Sequence, residues 1–225
     1  MQYGPKIVTN GLVLCLDAAD RNSYSGAGTK WSNLTSTGNN GTLVNGPIFN
    51  NNNQGNIIFD GIDDYVDCTE LDTSVFTTEA SLTCWLRCDS SVPTQFQTGI
   101  FGFDASVDRS HYSWINGLGY FSTFRTSRVN LITLSSISRI LPHMLTITTK
   151  GGGLWKLYQN TTLVTSVAAE ATVSIDNARR FMAIRSSGDT YRFKGSFYNF
   201  RLYNRELSAD EILQNYNTMK GRFDI

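Results

Sequence analysis

Short apolar runs, interrupted every few residues by glycine and asparagine, are the feature that most constrains the fold of this chain. Runs such as ASLTCWLRC, HMLTITT and LWKLYQN are rich in the β-branched and aromatic residues that strands favour. Between the runs lie Asn-Gly pairs beginning at Asn40, Asn45 and Asn116, and both residue types tolerate the positive φ of tight turns. Many short strands joined by such turns predict an all-β antiparallel sandwich.

Length and composition fit one domain of this kind. The chain has 225 residues, and sandwiches of this length are commonly single domains, so residues 1–225 are predicted to form one domain. Hydrophobic residues make up 40% of the chain and aromatic residues 12%, which is enough to fill a core between two sheets. Two polar stretches, residues 19–42 and 88–98, are predicted to be long loops, where binding residues are commonly found.

The charge balance argues against nucleic acid as a partner. The 19 basic and 19 acidic residues give a formal net charge of zero, and Arg179-Arg180 is the only adjacent basic pair. A nucleic-acid or anionic-membrane surface needs a basic face or run. No stretch approaches the ~18 apolar residues of a membrane span, and no secretory signal is visible, so membrane insertion is not expected.

The four cysteines, Cys15, Cys68, Cys84 and Cys88, are predicted to be buried free thiols. Cys84 and Cys88 share one strand-like run, which places them roughly 13 Å apart, too far for a disulfide between them. No CxxC pair indicates a zinc site. Free thiols fit a chain that folds in a reducing cytosol, and one long-range disulfide is the alternative.

Near the C-terminus the pattern changes from strand to helix. After the alternating run GSFYNFRLY, Ser208 and Glu211 have the spacing of a capping box. Helical spacing then relates Ile212, Leu213, Tyr216 and Met219. The predicted helix is about three turns long, stops at Gly221 and packs its apolar stripe against a sheet edge or a loop.

Four blocks of sequence occur in an order typical of a known family. They are Gly11-Leu12-Val13 with Leu16-Asp17-Ala18; Trp31, Leu34, Gly38, Asn39, Gly41 and Thr42; Phe59-Asp60-Gly61 with Asp63-Asp64-Tyr65-Val66; and the closing block, residues 195–212. With these blocks the chain resembles the laminin G-like, concanavalin A-like jelly-roll domains. The resemblance implies a two-sheet antiparallel jelly roll with one short C-terminal helix, and it makes Trp31 a structural residue.

The sequence departs from the family pattern at two places, where His143-Met144 replaces an expected tryptophan and Asn160-Thr161 replaces an Asn-Gly turn. The opening through NGPIF and the closing NYNTMKGRF are most similar to versions carried by tailed phages and other large viruses. In those viruses such domains occur on tail fibres, baseplates and capsid surfaces.

Catalytic patterns of the superfamily are incomplete in this chain. Its retaining β-glucanases carry E-x-D-x-x-E on one strand, which sets two carboxyl groups about 5 Å apart. Here Glu70 and Asp72 begin the pattern, but Val75 stands where the second glutamate is needed. There is no G-x-S-x-G motif, and the glycine-rich KGGGLWKLY runs into a strand and not a helix. The sequence therefore predicts a protein that is not an enzyme.

The first candidate site is a metal site. Asp60, Asp63 and Asp64 offer clustered oxygen ligands of the kind that Ca²⁺ prefers. The alternative is structural: Asp60 accepts backbone N–H groups in a tight turn, and the other two carboxylates help to fix it.

The second candidate site is a set of aromatic platforms for glycans. Tyr112 and Trp114 flank a predicted hairpin, and Tyr24 lies in the first long loop. Aromatic rings can stack on sugars, and the alternative is that they fill the core. Trp85 and Trp155 lie inside strand-like runs and are predicted to be core residues.

Together these observations favour a non-enzymatic viral structural protein, a capsid decoration or a tail or fibre component, that displays a lectin-like domain for surface attachment. The alternative is a carbohydrate-binding lectin module for receptor recognition, with or without calcium. The expected partners are other virion proteins and cell-surface glycans, and a homo-oligomer is compatible with either role. The expected location is the virion, after folding in the host cytoplasm, or otherwise an extracellular surface.

Overall fold

The computed structural model describes most of both sheets and the whole C-terminal segment. The described residues are 6–68, 71–72, 78–91, 98–103, 111–116, 119–124, 132–133, 141–151, 153–168, 179–181 and 193–225. Within them, the backbone but not the side chains is described for residues 98–103, 111–116, 119–124, 132–133, 167 and 179–181.

Strands dominate the described chain. In chain order they are β1 (Leu12–Asp17), β2 (Lys30–Trp31), β3 (Gly41–Val44), β4 (Ile48–Asn50), β5 (Asn56–Asp60), β6 (Tyr65–Asp67), β7 (Glu79–Cys88), β8 (Thr98–Phe103), β9 (His111–Asn116), β10 (Gly119–Phe124), β11 (Ile132–Thr133), β12 (His143–Lys150), β13 (Leu154–Gln159), β14 (Thr162–Ala168), β15 (Arg179–Phe181) and β16 (Lys194–Tyr203). One α-helix, α1 (Ala209–Met219), follows the last strand.

The strands form two eight-stranded antiparallel sheets. The first has the order β14-β13-β12-β7-β16-β5-β4, and the second has the order β11-β10-β9-β8-β15-β6-β3-β2. On the side of β16 away from β7, its first residues pair with β5 and its last residues pair with β1. Two antiparallel sheets and one short helix confirm the predicted jelly-roll sandwich.

Apolar side chains from alternate residues of the first sheet build the main core. Its members on the first sheet include Leu14, Leu16, Ile57, Phe59, Leu82, Cys84, Leu86, Leu145, Ile147, Leu157, Phe197, Phe200 and Leu202. Trp31 and Trp155 belong to the same core, which confirms both as structural residues. All four cysteines are buried and free, as predicted.

The outer face of the first sheet carries a second apolar cluster, formed with α1. Trp85 of β7 stacks on Tyr216 and Phe223, with ring centroids 5.4 Å and 4.5 Å apart. Met144, Tyr158, Tyr198, Tyr203, Ile212 and Met219 complete the cluster. Because Met144, Trp85 and Tyr198 lie on the central strands β12, β7 and β16, the helix covers the middle of a sheet face. The prediction that it packs against a sheet edge or loop was wrong.

The start of α1 agrees with the sequence and its end does not. The Ser208 side chain accepts the Glu211 N–H at 3.2 Å, and the Glu211 carboxylate accepts the Ser208 N–H at 2.9 Å, which confirms the capping box. The α-helix ends at Met219 and continues as one 3₁₀ turn, Lys220–Arg222. Gly221 lies inside that turn, so the prediction that it stops the helix was wrong.

Several asparagine side chains stabilise turns by accepting backbone N–H groups. Asn33 Oδ1 accepts the Cys15 N–H at 2.8 Å and thereby holds the first long polar stretch against β1. Asn160, with φ +56°, accepts the Met144 N–H at 3.0 Å and makes the β13–β14 turn without the usual glycine.

The first polar stretch is not wholly a loop, because it contains β2. Most of the second, residues 92–97, lies outside the described residues. None of the helices in the described part of the chain has the length and apolar character needed to cross a bilayer.

Candidate functional site

The turn between β5 and β6, residues 60–64, is held by its own side chains. Gly61 takes φ +78°, a conformation that favours glycine. Asp60 Oδ1 accepts the Ile62 N–H at 2.7 Å, and Asp64 Oδ2 accepts the Asp60 N–H at 3.0 Å. We call these five residues the acidic turn. The hydrogen bonds are those of the structural alternative, in which carboxylates fix a tight turn.

The three carboxylates of the acidic turn also lie close together. One oxygen from each of Asp60, Asp63 and Asp64 falls within 4.8 Å of the others, and Asp60 and Asp63 are exposed whereas Asp64 is buried. Burial raises the pKa of Asp64, the Asp60 N–H bond opposes that rise, and the charges of Asp60 and Asp63 add to it. A cation bound beside Asp64 would favour its charged form and would offset the repulsion from the two acidic neighbours.

The fit of the acidic turn to Ca²⁺ is partial. Asp60 and Asp64 each keep one oxygen outside the turn's hydrogen bonds, and Asp63 keeps both. Ca²⁺ takes 6–8 oxygen ligands, so about half would come from water or from a bound molecule. The side chain of Asn45 donates to the Asp63 carbonyl oxygen at 2.9 Å, which joins the acidic turn to the β3–β4 turn. Calcium binding stays a prediction.

Two exposed isoleucines accompany the acidic turn, and sequence reasoning missed both. Ile62, at the tip of the turn, is 76% exposed. Ile48, on β4, is 65% exposed and is paired in register with Ile58 of β5, the strand that leads into the turn. We call this end of the sandwich, the acidic turn together with Asn45 and Ile48, the rim. One sequence signal could have indicated the exposed Ile62: a large apolar residue that lies between Asp60 and Asp63 in a turn.

The aromatic candidates do not join the rim. Tyr24 is 2% exposed, its hydroxyl donates to the Gly28 carbonyl at 2.8 Å, and its ring lies 5.4 Å from that of Phe49. The prediction that Tyr24 offers a surface for a sugar was therefore wrong, because it anchors the first polar stretch. Tyr112 and Trp114 lie on β9, whose side chains are outside the described residues, and β9 forms the predicted hairpin with β10.

The described glutamates are engaged in structural ion pairs. Glu79 lies 3.1 Å from Lys150 Nζ, and Glu206 lies 2.8 Å from Lys156 Nζ. Glu211 forms two bonds, of 2.8 Å and 2.6 Å, with the Arg205 guanidinium. Glu70, the first residue of the incomplete glucanase pattern, lies outside the described residues.

Comparison with solved structures shows which proteins have a fold similar to that of this chain. Trypanosoma rangeli sialidase, in complex with 2,3-difluorosialic acid, superposes with a TM-score of 0.73 at 13% identity, covering 99% of this chain and 35% of that one. The binding domain of paraclostridial mosquitocidal protein 1 gives 0.70 at 13% identity, covering 92% and 52%. The botulinum neurotoxin serotype G binding domain gives 0.68 at 18% identity, covering 91% and 50%.

At these identities the structural likeness shows a shared fold and nothing more. The chain spans between about a third and a half of the length of these proteins. A search of curated protein sequences gives no match.

Residues 59–213 match the model of the concanavalin A-like lectin/glucanases superfamily. This match covers more than half of the sequence and agrees with the two-sheet fold. The chain belongs to the concanavalin A-like lectin/glucanases superfamily.

Proposed function

We propose that this domain is a non-catalytic recognition module that binds its target through the rim. The observation that carries the proposal is the exposure of Ile62 and Ile48 on backbone that is fixed by the acidic turn and by Asn45. Exposed apolar residues on a rigid turn make good contact anchors, since they lose apolar surface to a partner at little cost in conformational entropy. Two of the similar structures are themselves named binding domains.

The absence of catalysis is part of the same proposal. Glu79, Glu206 and Glu211 are each paired with a lysine or an arginine. Hydrogen bonds lower the pKa of Glu79 and of Glu211, which makes these two carboxylates unsuited to act as general acids. The structural similarity to the sialidase, at 13% identity, is no evidence for sialidase activity in this chain. A glycanase would require turnover of a β-glucan that is abolished by Glu70→Gln.

The proposed ligand class is carbohydrate, with Ca²⁺ as a bridging ion. The exposed carboxylates of Asp60 and Asp63 would hold the ion, and hydroxyl groups of the sugar would fill coordination positions that the protein leaves open. A glycan array probed with and without calcium tests this directly. Binding that needs calcium supports the bridging role of the ion. Binding without calcium contradicts the bridging role but supports carbohydrate binding by the rim itself. No binding contradicts carbohydrate as the ligand class.

Variants assign the binding to the rim. Asp63→Asn removes an uncommitted carboxylate without touching the turn's hydrogen bonds, and Ile62→Ser removes the apolar tip. Leu213→Ser is the matched control, because Leu213 is also exposed but lies on α1. We expect both rim variants to weaken binding at least tenfold and the control to bind as the unchanged protein does. Equal affinities for all of them would contradict the assignment to the rim.

We further propose that the module is carried on a virion, as a capsid decoration or as a tail or fibre component. The specific observation in favour is the set of four buried free thiols, which fits folding in a reducing host cytoplasm before release. Mass spectrometry of purified virions tests the proposal, and virions without this chain would contradict it. An electron micrograph of the particle would then locate the domain on the capsid or the tail.

A further inference from the structure

A cluster of polar and charged side chains is buried on the outer face of the first sheet, where β1 and β16 pair. Asp17 lies opposite Asn199, and Cys15 lies opposite Arg201. Because Asn199 and Arg201 are two residues apart on one strand, their side chains leave the same face. Asn199 is 0% exposed and Arg201 is 2% exposed.

Arg222, from the C-terminal 3₁₀ turn, covers this cluster, and each of its three guanidinium nitrogens has a hydrogen-bond partner. Its Nη1 lies 2.9 Å from Asp17 Oδ1, its Nε donates to the Asn53 carbonyl at 2.5 Å, and its Nη2 donates to the Gly55 carbonyl. Asp17 Oδ1 also accepts the Ala19 N–H at 2.9 Å. The single carboxylate of the cluster is therefore engaged mainly by Arg222.

Arg201 is left without an equivalent partner. Its closest approach to a carboxylate is 3.9 Å, from Nη2 to Asp17 Oδ2, which is beyond hydrogen-bonding distance. Within the described part of the chain, Arg201 Nε and Nη1 and both polar atoms of the Asn199 amide have no hydrogen-bond partner. Buried polar groups of native proteins are almost always paired, so four such atoms in adjacent side chains require an explanation.

The neighbouring groups do not supply the missing negative charge. Burial raises the pKa of the Cys15 thiol although the charge of Arg201 and a side-chain hydrogen bond with Arg201 oppose the rise, so the thiol stays protonated and supplies no charge. The charge of Asp20 also acts on Cys15, but Asp20 is half-buried, so solvent screens it, and its Oδ1 accepts the Asn22 N–H of its own turn. Among the side chains of the cluster itself, two guanidinium groups face one carboxylate, Asp17.

A water molecule and a small anion would satisfy the cluster differently. Water offers acceptors and donors but no charge, whereas the unpaired groups are mostly donors beside an uncompensated cation. A buried charge without a counter-charge is strongly unfavourable. The chemistry therefore favours an anion that accepts N–H groups from Arg201 and Asn199 together.

We propose that the cluster binds a small monovalent anion, chloride in the simplest case, between Asn199 and Arg201. The anion binds the folded chain, in which Arg222 covers the cluster, and it stabilises that state. This site lies on the helix-covered face of the sheet, and it does not depend on the function proposed for the rim.

Thermal unfolding of the full chain tests the proposal. Chloride replaces gluconate at constant ionic strength, because gluconate is too large to enter a buried site. An anion that binds only the folded state raises the unfolding midpoint in proportion to the logarithm of its concentration, and we expect a rise of about 4 °C or more over a hundredfold range. An equal midpoint in both salts overturns the proposal and leaves the cluster hydrated.

Three variants separate binding from general salt effects. Asn199→Asp places a carboxylate beside Arg201, and Arg201→Met removes the uncompensated cation, so each is expected to abolish the chloride response. Lys30→Met is the control, since it removes an exposed cation from the second sheet and is expected to respond as the unchanged protein does. If one cluster variant does not fold, the other decides. A chloride response that persists in a folded cluster variant, or one lost in Lys30→Met, overturns the proposal.

Discussion

Gly195 of β16 occupies a position where a side chain has no room. Its φ is +148°, and an added Cβ would lie 2.2 Å from the Arg87 carbonyl oxygen on β7. Gly195→Ala is therefore expected to lower the free energy of unfolding by about 3 kcal/mol or more, measured by urea denaturation.

Gly221→Ala is the matched control for that substitution. Gly221 has no atom within 4 Å of the added Cβ, and its φ is not positive. The alanine variant is expected to be unchanged or stabilised by about 0.4–1 kcal/mol. Similar destabilisation at both glycines would contradict the steric explanation.

His143 stands where the family pattern has a tryptophan, and it is 3% exposed. Burial lowers its pKa to about 4, and its contact with the Leu141 carbonyl opposes the shift. Because the folded pKa lies below the ordinary 6.5, the unfolded chain takes up the proton first. The stability that this neutral histidine contributes is complete above pH 6.5 and is lost as the pH falls towards 4.

His143→Leu is expected to remove that part of the pH dependence. The loss between about pH 6.5 and 4 is on the order of 3 kcal/mol for the unchanged protein. Urea unfolding at a series of pH values measures the difference between the two curves. Parallel curves for the protein and the variant would contradict the assignment to His143.

The first turn of α1 is held by a capping box and by the ion pair between Arg205 and Glu211. Arg205 donates two hydrogen bonds to Glu211, and these bonds together with the Ser208 N–H lower the pKa of Glu211 to about 2. Since the folded pKa lies below the ordinary 4.5, this contribution to stability is complete above pH 4.5 and is lost as the pH falls to about 2.

Glu211→Gln is expected to cost up to about 1 kcal/mol at pH 7, because the pair is partly exposed to solvent. At pH 2.5, where most but not all of this contribution has been lost, the variant and the unchanged protein should differ by much less than at pH 7. Unfolding monitored at pH 7 and pH 2.5 checks both values. An equal cost at the two pH values would show that the charge of Glu211 is not what stabilises the helix start.

Across the entire fold, α1 and the 3₁₀ turn cover an apolar sheet face. Trp85, Met144 and Tyr198 would face solvent without them. A chain that ends at Glu206 is therefore expected to self-associate, because an apolar patch of several aromatic rings exceeds what monomers usually expose. Light scattering at rising concentration measures this, with Leu213→Ser as a full-length control. A monomeric, soluble truncated chain would contradict the covering role.

Local signals in the sequence determined much of this protein. The alternation of apolar and polar residues, the Asn-Gly turns and the Ser208–Glu211 capping box each act over a few residues, so each could be interpreted without knowledge of the fold. The hydrogen bonds of the acidic turn belong to the same class, since Asp60 and Asp64 contact backbone within the five residues that contain them.

Only the tertiary structure decided where these elements meet. The burial of Tyr24, the position of α1 over the centre of a sheet, and the closure of Arg222 onto Asn53 and Asp17 join residues far apart in the chain. The exposure of Ile48 and Ile62 also depends on which surfaces the two sheets and the helix leave uncovered. The period of a strand fixes which residues share a face, but the partner of that face is chosen by packing across the whole chain.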